Sequence, residues 1–207
     1  MDIKSAALAL KQGHLVAFPT ETVYGLGADA ENLQALIRMY EVKGRPKDHP
    51  VIVHIGNIEE LDYWAKEIPA YARALAEKYW PGPMTLLLRR TKHALDAVTG
   101  GQEIVGIRFP SHPIAQELLR EFHRLGGHGI AAPSANRFGN VSPTSAEDVV
   151  EELGDFLGEE DLIIDGGDCE VGIESTIIDC TGDAPRIVRL GAITKEMIEV
   201  VTSLNDL

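Results

Sequence analysis

Cysteine is scarce in this 207-residue chain: Cys169 and Cys180 are the only two. Neither belongs to a metal-binding spacing. A chain of this length buries about 70% of its unfolded surface without a disulfide. Both are therefore read as small, half-buried core thiols, and a reducing, cytoplasmic setting is expected. Long apolar runs are missing as well. Stretches such as Leu15-Val16-Ala17-Phe18 and Thr85-Leu86-Leu87-Leu88 fall far short of the ~20 residues that a helical membrane span needs. The opening Met1-Asp2-Ile3-Lys4-Ser5 lacks the charged-then-apolar layout of a secretory leader, so none is expected. Two signatures are also absent. There is no Gly-x-x-x-x-Gly-Lys-Thr phosphate loop and no Gly-x-Ser-x-Gly nucleophile elbow, which sets aside a Walker-type ATPase and a serine hydrolase.

Positive charge is unevenly withheld. From Phe138 to Pro185 there are 14 acidic residues and no lysine or arginine, whereas Met1 to Arg137 holds 16 basic and 15 acidic residues. The net charge of −13 argues against broad coating of nucleic acid. It leaves room for a local basic pocket in the first two thirds of the chain. The acidic block reads as a solvated face.

Apolar residues at 44% and charged residues at 25% are ordinary for a globular protein. The periodicity predicts helices over Asp2–Gln12, Glu31–Val42, Ile58–Trp64, Ala70–Tyr79, Pro113–Phe122 and Ser145–Leu153. Ser145 and Asp148 form a capping pattern, and Thr194 caps a last helix through Val201. Strands are predicted at Leu15–Phe18, Val51–Ile55, Met84–Leu88, Ile104–Phe109, Ile130–Ala132, Leu162–Ile164, Thr176–Asp179 and Arg186–Leu190. Some consecutive strands have no helix between them. That favours an α/β fold with an open, twisted, mixed sheet and flanking helices. No linker or repeat interrupts residues 1–207, so one domain is expected.

Four polar clusters adjoin these strands, where ligands of open α/β sheets usually bind. In Phe18-Pro19-Thr20-Glu21-Thr22-Val23-Tyr24-Gly25-Leu26-Gly27, Pro19 turns the chain out of the sheet. The glycines there suit close approach of backbone to a ligand, although a capped turn around Tyr24 reads equally well. In Lys43-Gly44-Arg45-Pro46-Lys47-Asp48-His49-Pro50, a point charge and a planar fork suit a polyphosphate. A solvated turn fits the same residues. Ala131-Ala132-Pro133-Ser134-Ala135-Asn136 offers neutral hydrogen-bonding groups. Gly172-Ile173-Glu174-Ser175-Thr176 opens a strand, and Arg189 ends the next.

His54 lies in an apolar strand, as a core histidine or facing a pocket. Arg108, among apolar residues, must be paired; a protein carboxylate and a ligand carboxylate both remain open as its partner. No His/Cys/carboxylate grouping shows ligand spacing, so no protein-built metal site is expected. Any Mg²⁺ would arrive with a nucleotide.

Six motifs occur in one order: Pro19-Thr20-Glu21-Thr22-Val23-Tyr24-Gly25-Leu26, Lys43-Gly44-Arg45-Pro46, Trp80-Pro81-Gly82-Pro83-Met84-Thr85, Gly106-Ile107-Arg108-Phe109-Pro110, Ala132-Pro133-Ser134-Ala135-Asn136 and Ser142-Pro143-Thr144. Together they resemble the YrdC-type threonylcarbamoyl-AMP synthase family, from about residue 5 to 195. The resemblance implies a YrdC-like fold around a concave, positively charged cavity. It implies an enzyme that makes threonylcarbamoyl-AMP and pyrophosphate from L-threonine, bicarbonate and ATP, with Mg²⁺ accompanying the ATP. The product would feed downstream threonylcarbamoyl-transfer machinery acting on tRNA, which this chain itself would meet indirectly if at all.

By that resemblance Lys43, Arg45, Ser134 and Asn136 form the catalytic tetrad. Thr22, His54, Arg108, Ala132 and Ser175 form the threonine pocket. Lys43, Arg45, His49, Ser134, Ser142 and Arg189 contact the nucleotide. Longer members carry a C-terminal domain over the active site; with the chain ending at Leu207, an open site is expected. A carbamoyl-adenylate-forming enzyme and a non-enzymatic RNA-binding module stand as the alternatives.

Overall fold

The computed structural model describes residues 2–203. Local signals start most of its helices. Asp2 caps α1 (Ile3–Lys11) by accepting from Lys4 N, and Asn32 caps α2 (Leu33–Lys43) by accepting from Ala35 N. Pro113 opens α6 (Pro113–Arg124), where a missing N–H costs nothing. Ser145 accepts from Asp148 N at 3.1 Å ahead of α7 (Ala146–Leu153), while Asp148 accepts from Thr144 N. That reciprocal pattern bears out the predicted cap. Thr194 likewise accepts from Met197 N before α8 (Lys195–Ser203).

Ten strands form one mixed sheet: β1 (Val16–Pro19), β2 (Tyr24–Asp29), β3 (Ile52–His54), β4 (Ala65–Lys66), β5 (Met84–Arg90), β6 (Ile104–Arg108), β7 (Ile130–Ala131), β8 (Leu162–Ile163), β9 (Thr176–Asp179) and β10 (Arg186–Arg189). Their order is β10-β9-β5-β6-β3-β7-β2-β1-β8, with β4 pairing β5 outside that path. Pairs β3/β6, β5/β9 and β1/β8 are parallel and the others antiparallel. The expected α/β class with a mixed open sheet is observed. No helix among the described residues is long and apolar enough to cross a membrane.

Strand alternation splits the core between two faces. Leu15, Ala17, Tyr24, Leu26, Val53 and Ile107 join the larger cluster, under α2, α4 (Ala70–Tyr79) and α8. Val16, Phe18, Ile130 and Ala132 join a smaller one with Ala6 and Leu10 of α1 and Leu118, Leu119 and Phe122 of α6. On that second face α1 and α6 pack over the β1/β2/β7 side of the sheet. The same face of β3, β6, β5 and β9 opens instead into a cavity.

Three elements were not expected. The stretch through Gly27, read as a loop, is a hairpin: β1 ends at Pro19 and β2 returns antiparallel, with Pro19 opposite Tyr24. Its glycines serve packing rather than a ligand. A Cβ on Gly27 would lie 2.9 Å from both the Ile130 side chain and Val16 O, and one on Gly25 would lie 3.1 Å from Ala132 Cβ. The other two are β4 and the single turn α5 (Asp96–Thr99). The predicted helix over Ile58–Trp64 is a 3₁₀ turn, Ile58–Glu60, followed by the short α3 (Leu61–Trp64).

Candidate active site

Register sets two rows of residues, one of them holding the predicted His54 and Arg108, across the face that opens into the cavity. Ile52 lies opposite Gly106, and Gly106 opposite Leu87. Two residues along, His54 lies opposite Arg108, Arg108 opposite Thr85, and Thr85 opposite Ile177. The first row floors a cavity of about 330 Å³ whose walls include Arg45, Ser134, Glu174, Val188 and Arg189. Two guanidinium groups thus face a space with a single carboxylate among its lining residues. The expected local basic pocket exists despite the acidic total.

The second row is deeply buried. Arg108 is 4% exposed and His54 3%. Arg108 donates from one terminal nitrogen to Glu21 Oε1 and from the other to Thr22 Oγ1 at 2.9 Å. Glu21 Oε2 accepts from Ser111 N and Ser111 Oγ at 2.7 and 2.6 Å. The partner left open by the sequence is thus a protein carboxylate, supplied by the turn between β1 and β2. Thr20 Oγ1 ties that turn down, donating to Val23 O at 2.7 Å and standing 2.9 Å from Thr22 Oγ1. Burial, reinforced by the Arg108 cation, pushes the His54 imidazolium down to about 3. His54 is a neutral ring at physiological pH.

Gly44 ends α2 in the left-handed region, φ 65°, where glycine carries no Cβ penalty. A Cβ there would meet the Arg137 guanidinium at 2.7 Å. The turn separates its two neighbours. Lys43 points inward, 1% exposed, and Nζ donates to Ser134 O and Asn136 O at 2.5 and 2.6 Å. Burial and the adjacent Arg45 cation lower its ammonium to about 7. Arg45 is held over the cavity by Nε to His49 O and by a terminal nitrogen to Pro50 O, at 3.3 and 2.7 Å. Lys43 itself is not a lining residue; it anchors the loop that is.

The start of that loop pairs antiparallel with β2, Ser134 opposite Gly25: Leu26 N donates to Pro133 O and Ala135 N to Tyr24 O. Asn136 is buried and donates from Nδ2 to Arg137 O and Asn140 O. On the far wall Ser175 Oγ sits 2.8 Å from Thr85 Oγ1, and Arg189 donates to Ser175 O at 3.0 Å. Ser142 donates to Glu174 Oε1 at 2.5 Å, and Glu174 pairs with Arg189 at 3.4 Å.

Not every expected residue joins the group. His49 is exposed, and its ring packs edge-on against Phe138 at 5.3 Å; only its carbonyl serves the site, through Arg45. Glu21 and Glu174 were named within their clusters but given no role. Position beside Thr22 and Ser175 was the signal that could have found them. The acidic block is only partly a solvated face: Asp148 caps a helix, Glu152 accepts from Arg137 N and Asn140 Nδ2, and Asp161 pairs with Arg38 and accepts from Leu15 N. Both cysteines are free, Cys180 buried and Cys169 half-buried. Glu60, His123 and His128, which no ligand spacing in the sequence links, converge away from this cavity.

Three buried side-chain nitrogen or oxygen atoms among the described residues find no partner: His54 Nδ1, Arg108 Nε and Asn136 Oδ1. Each belongs to a residue two positions along from a cavity-lining one, namely Ile52, Gly106 and Ser134. An unsatisfied buried polar group costs about 1–3 kcal/mol, and all three belong to segments that also line this cavity.

The Sua5/YciO/YrdC family model, described as telomere recombination, matches residues 8–191. A threonylcarbamoyl-AMP synthase of Pyrococcus abyssi (strain GE5 / Orsay) is 48% identical over 199 residues, 96% of this chain and 56% of the relative. One from Bacillus subtilis (strain 168) is 48% identical over 201 residues, again 96% and 56%. Among solved structures, P. abyssi Sua5 complexed with L-threonine superposes with a TM-score of 0.90 at 47% identity, covering 96% of this chain and 56% of that one. The chain spans about half the length of these relatives.

Proposed function

The chain belongs to the Sua5/YciO/YrdC family, and from that premise we propose that it acts as a single catalytic unit, an L-threonylcarbamoyladenylate synthase. L-Threonine, bicarbonate and ATP would give threonylcarbamoyl-AMP, pyrophosphate and water. The observation that carries this reading is the trio of unpartnered buried atoms, His54 Nδ1, Arg108 Nε and Asn136 Oδ1, beside a cavity walled by two arginines.

Threonine binds in the second row. Its carboxylate meets the free Nε edge of Arg108, with the Thr22 and Ser175 hydroxyls alongside and Ala132 lining the back. Neutral His54 offers Nδ1 as a hydrogen-bonding partner without adding charge. Threonine's amine attacks bicarbonate carbon; loss of water leaves the carbamate. A carbamate oxygen then attacks the α-phosphorus, the bond to the β-phosphate bridging oxygen breaks, and pyrophosphate leaves.

Phosphate charge is met by Arg45 and Arg189 across the cavity and by Lys43 behind the loop. Ser134 and Asn136 orient the reacting groups, and Ser142 fixes Glu174 and through it Arg189. No covalent enzyme intermediate is required. The rate gain comes from positioning and from preset cationic donors. Mg²⁺ enters as part of the nucleotide substrate, since one ion-paired carboxylate, Glu174, is no protein cage for it. The product would pass to enzymes that transfer the threonylcarbamoyl group to tRNA, in a cytoplasmic setting.

Pyrophosphate release from Mg²⁺-ATP, with L-threonine and bicarbonate each omitted in turn, tests the proposal. Release that needs both supports the synthase. Release indifferent to threonine points to carbamoyl-adenylate chemistry or plain ATP hydrolysis and overturns it. No release from folded protein overturns it in favour of a binding module.

A further inference from the structure

A second constellation lies at the opposite end of β3 from Ile52 and shares no lining residue with the substrate cavity. Glu60 closes the 3₁₀ turn after β3, His123 sits in the last turn of α6, and His128 lies in the loop entering β7. His123 Nδ1 stands 2.7 Å from Glu60 Oε1, and His128 Nδ1 stands 3.2 Å from Glu60 Oε2. One donor atom from each residue lies within 4.8 Å of the other two. All three line a cavity of about 370 Å³, whose apolar walls include Phe109, Leu119 and Phe122.

The chemistry of this group is that of a cation site. Glu60 is 9% exposed, yet no lysine or arginine among the described residues pairs with it. Its two oxygens instead face two imidazole nitrogens. Two histidines and a carboxylate are a recurrent ligand set for zinc and its neighbours. Bonds of ~2.0–2.1 Å to a tetrahedral ion set its ligands ~3.3 Å apart; the imidazole nitrogens stand 2.7 and 3.2 Å from the two Glu60 oxygens, and the donor set, spread over as much as 4.8 Å, would draw in around the ion. The C-terminal end of α6 adds partial negative charge beside His123.

The orientation of the His128 ring is fixed in advance. His128 stacks on Tyr63 at 3.9 Å and 16°, His93 stacks on Tyr63 at 3.9 Å and 13°, and the Tyr63 hydroxyl donates to Glu31 Oε2 at 2.6 Å. Such outer support is what holds metal-ligating imidazoles in place. Sequence spacing concealed the set because Glu60 stands 68 residues before His128.

We propose that Glu60, His123 and His128 bind a divalent transition-metal ion of the zinc class, with its remaining coordination position toward the apolar-walled cavity. The ion ties the 3₁₀ turn, α6 and the entry to β7 together. This site is separate from the adenylation chemistry and does not depend on it.

The test uses the full chain stripped of metal by a chelator, without nucleotide, so that no ATP-borne ion is counted. Zinc is titrated calorimetrically, and cobalt(II) is followed by its visible absorption. The expected result is one equivalent per chain. His123→Ala and Glu60→Gln should each weaken binding at least roughly tenfold. Zinc should raise the melting temperature of the wild type and not of His123→Ala. His123 is more than half exposed, so that variant keeps the fold, and Glu60→Gln keeps the side-chain volume. Substoichiometric binding, or equal binding by wild type and His123→Ala, overturns the proposal and leaves Glu60 as a hydrogen-bonded partner of two histidines.

Discussion

Lys43 Nζ bonds Ser134 O and Asn136 O at 2.5 and 2.6 Å, joining the end of α2 to a loop more than ninety residues later. The ammonium thereby fixes the backbone between two residues proposed to touch substrate. It holds its position with carbonyl dipoles only, at a pKa lowered by burial to about 7. An anion in the adjoining cavity would raise that value and complete the charge balance.

Lys43→Met is therefore expected to cut pyrophosphate release by about 10²-fold or more, the scale of losing a preset donor to developing charge. Lys43→Arg should not restore it, because the forked guanidinium cannot reproduce two bonds from one nitrogen in a fully buried space. Turnover within a few-fold of wild type in Lys43→Met would remove this residue from the mechanism.

Arg45 and Arg189 should separate from Lys43 in their kinetics. Both line the cavity and contact protein carbonyls through part of the fork only. Loss of a charged hydrogen-bond partner costs about 1.5–3 kcal/mol, or roughly 10–100-fold. Steady-state titration of ATP should show KM raised on that scale in Arg189→Ala, and kcat/KM for ATP lowered by about 10²-fold in Arg45→Ala. An unchanged KM for ATP in both would relocate the phosphates.

Helix caps such as Ser145–Asp148 were legible in the sequence because they are settled within one turn of chain. The mixed, open character of the sheet was legible because some consecutive strands have no helix between them. The partner of Arg108 was not: Glu21 reaches it across 87 residues, and residue type alone cannot choose between that carboxylate and a ligand's. β2 was hidden for a different reason. Gly25 and Gly27 normally weaken a strand, yet Val16 and Ile130 crowd Gly27 and Ala132 crowds Gly25. His49 was placed at the nucleotide by the family resemblance, but the turn it occupies lends the site a carbonyl and turns the ring to Phe138.

The Glu21–Arg108 pair is buried on both sides, and Glu21 carries Ser111 as well. Breaking such a pair from one side leaves an uncompensated charge and costs about 3–5 kcal/mol. Glu21→Gln is expected to lower the unfolding free energy measured in urea by about 3–5 kcal/mol and to raise KM for threonine, since the Arg108 fork loses its orientation. Glu21→Asp, which keeps the charge, should recover part of the stability. If Glu21→Gln melts with wild type, the pair does not hold the threonine pocket together.

His54 supplies the pH signature of the fold. Its folded-state value is about 3, depressed chiefly by burial, against ~6.5 in an unfolded chain. Above the unfolded value both states hold a neutral ring, and stability has no slope from this residue. Between the two values the unfolded chain carries the proton while the folded chain does not. Acid therefore favours unfolding across that window, by up to ~1.4 kcal/mol per pH unit. Urea melts of wild type and His54→Gln between roughly pH 4 and 7 isolate this contribution, because every other group titrates in both proteins. The variant should start less stable near neutrality, where it loses the fitted imidazole, and its stability should fall less steeply as pH drops. Parallel curves would mean that the ring takes up its proton inside the folded protein. It would then be charged beside Arg108, and threonine recognition would need a different account.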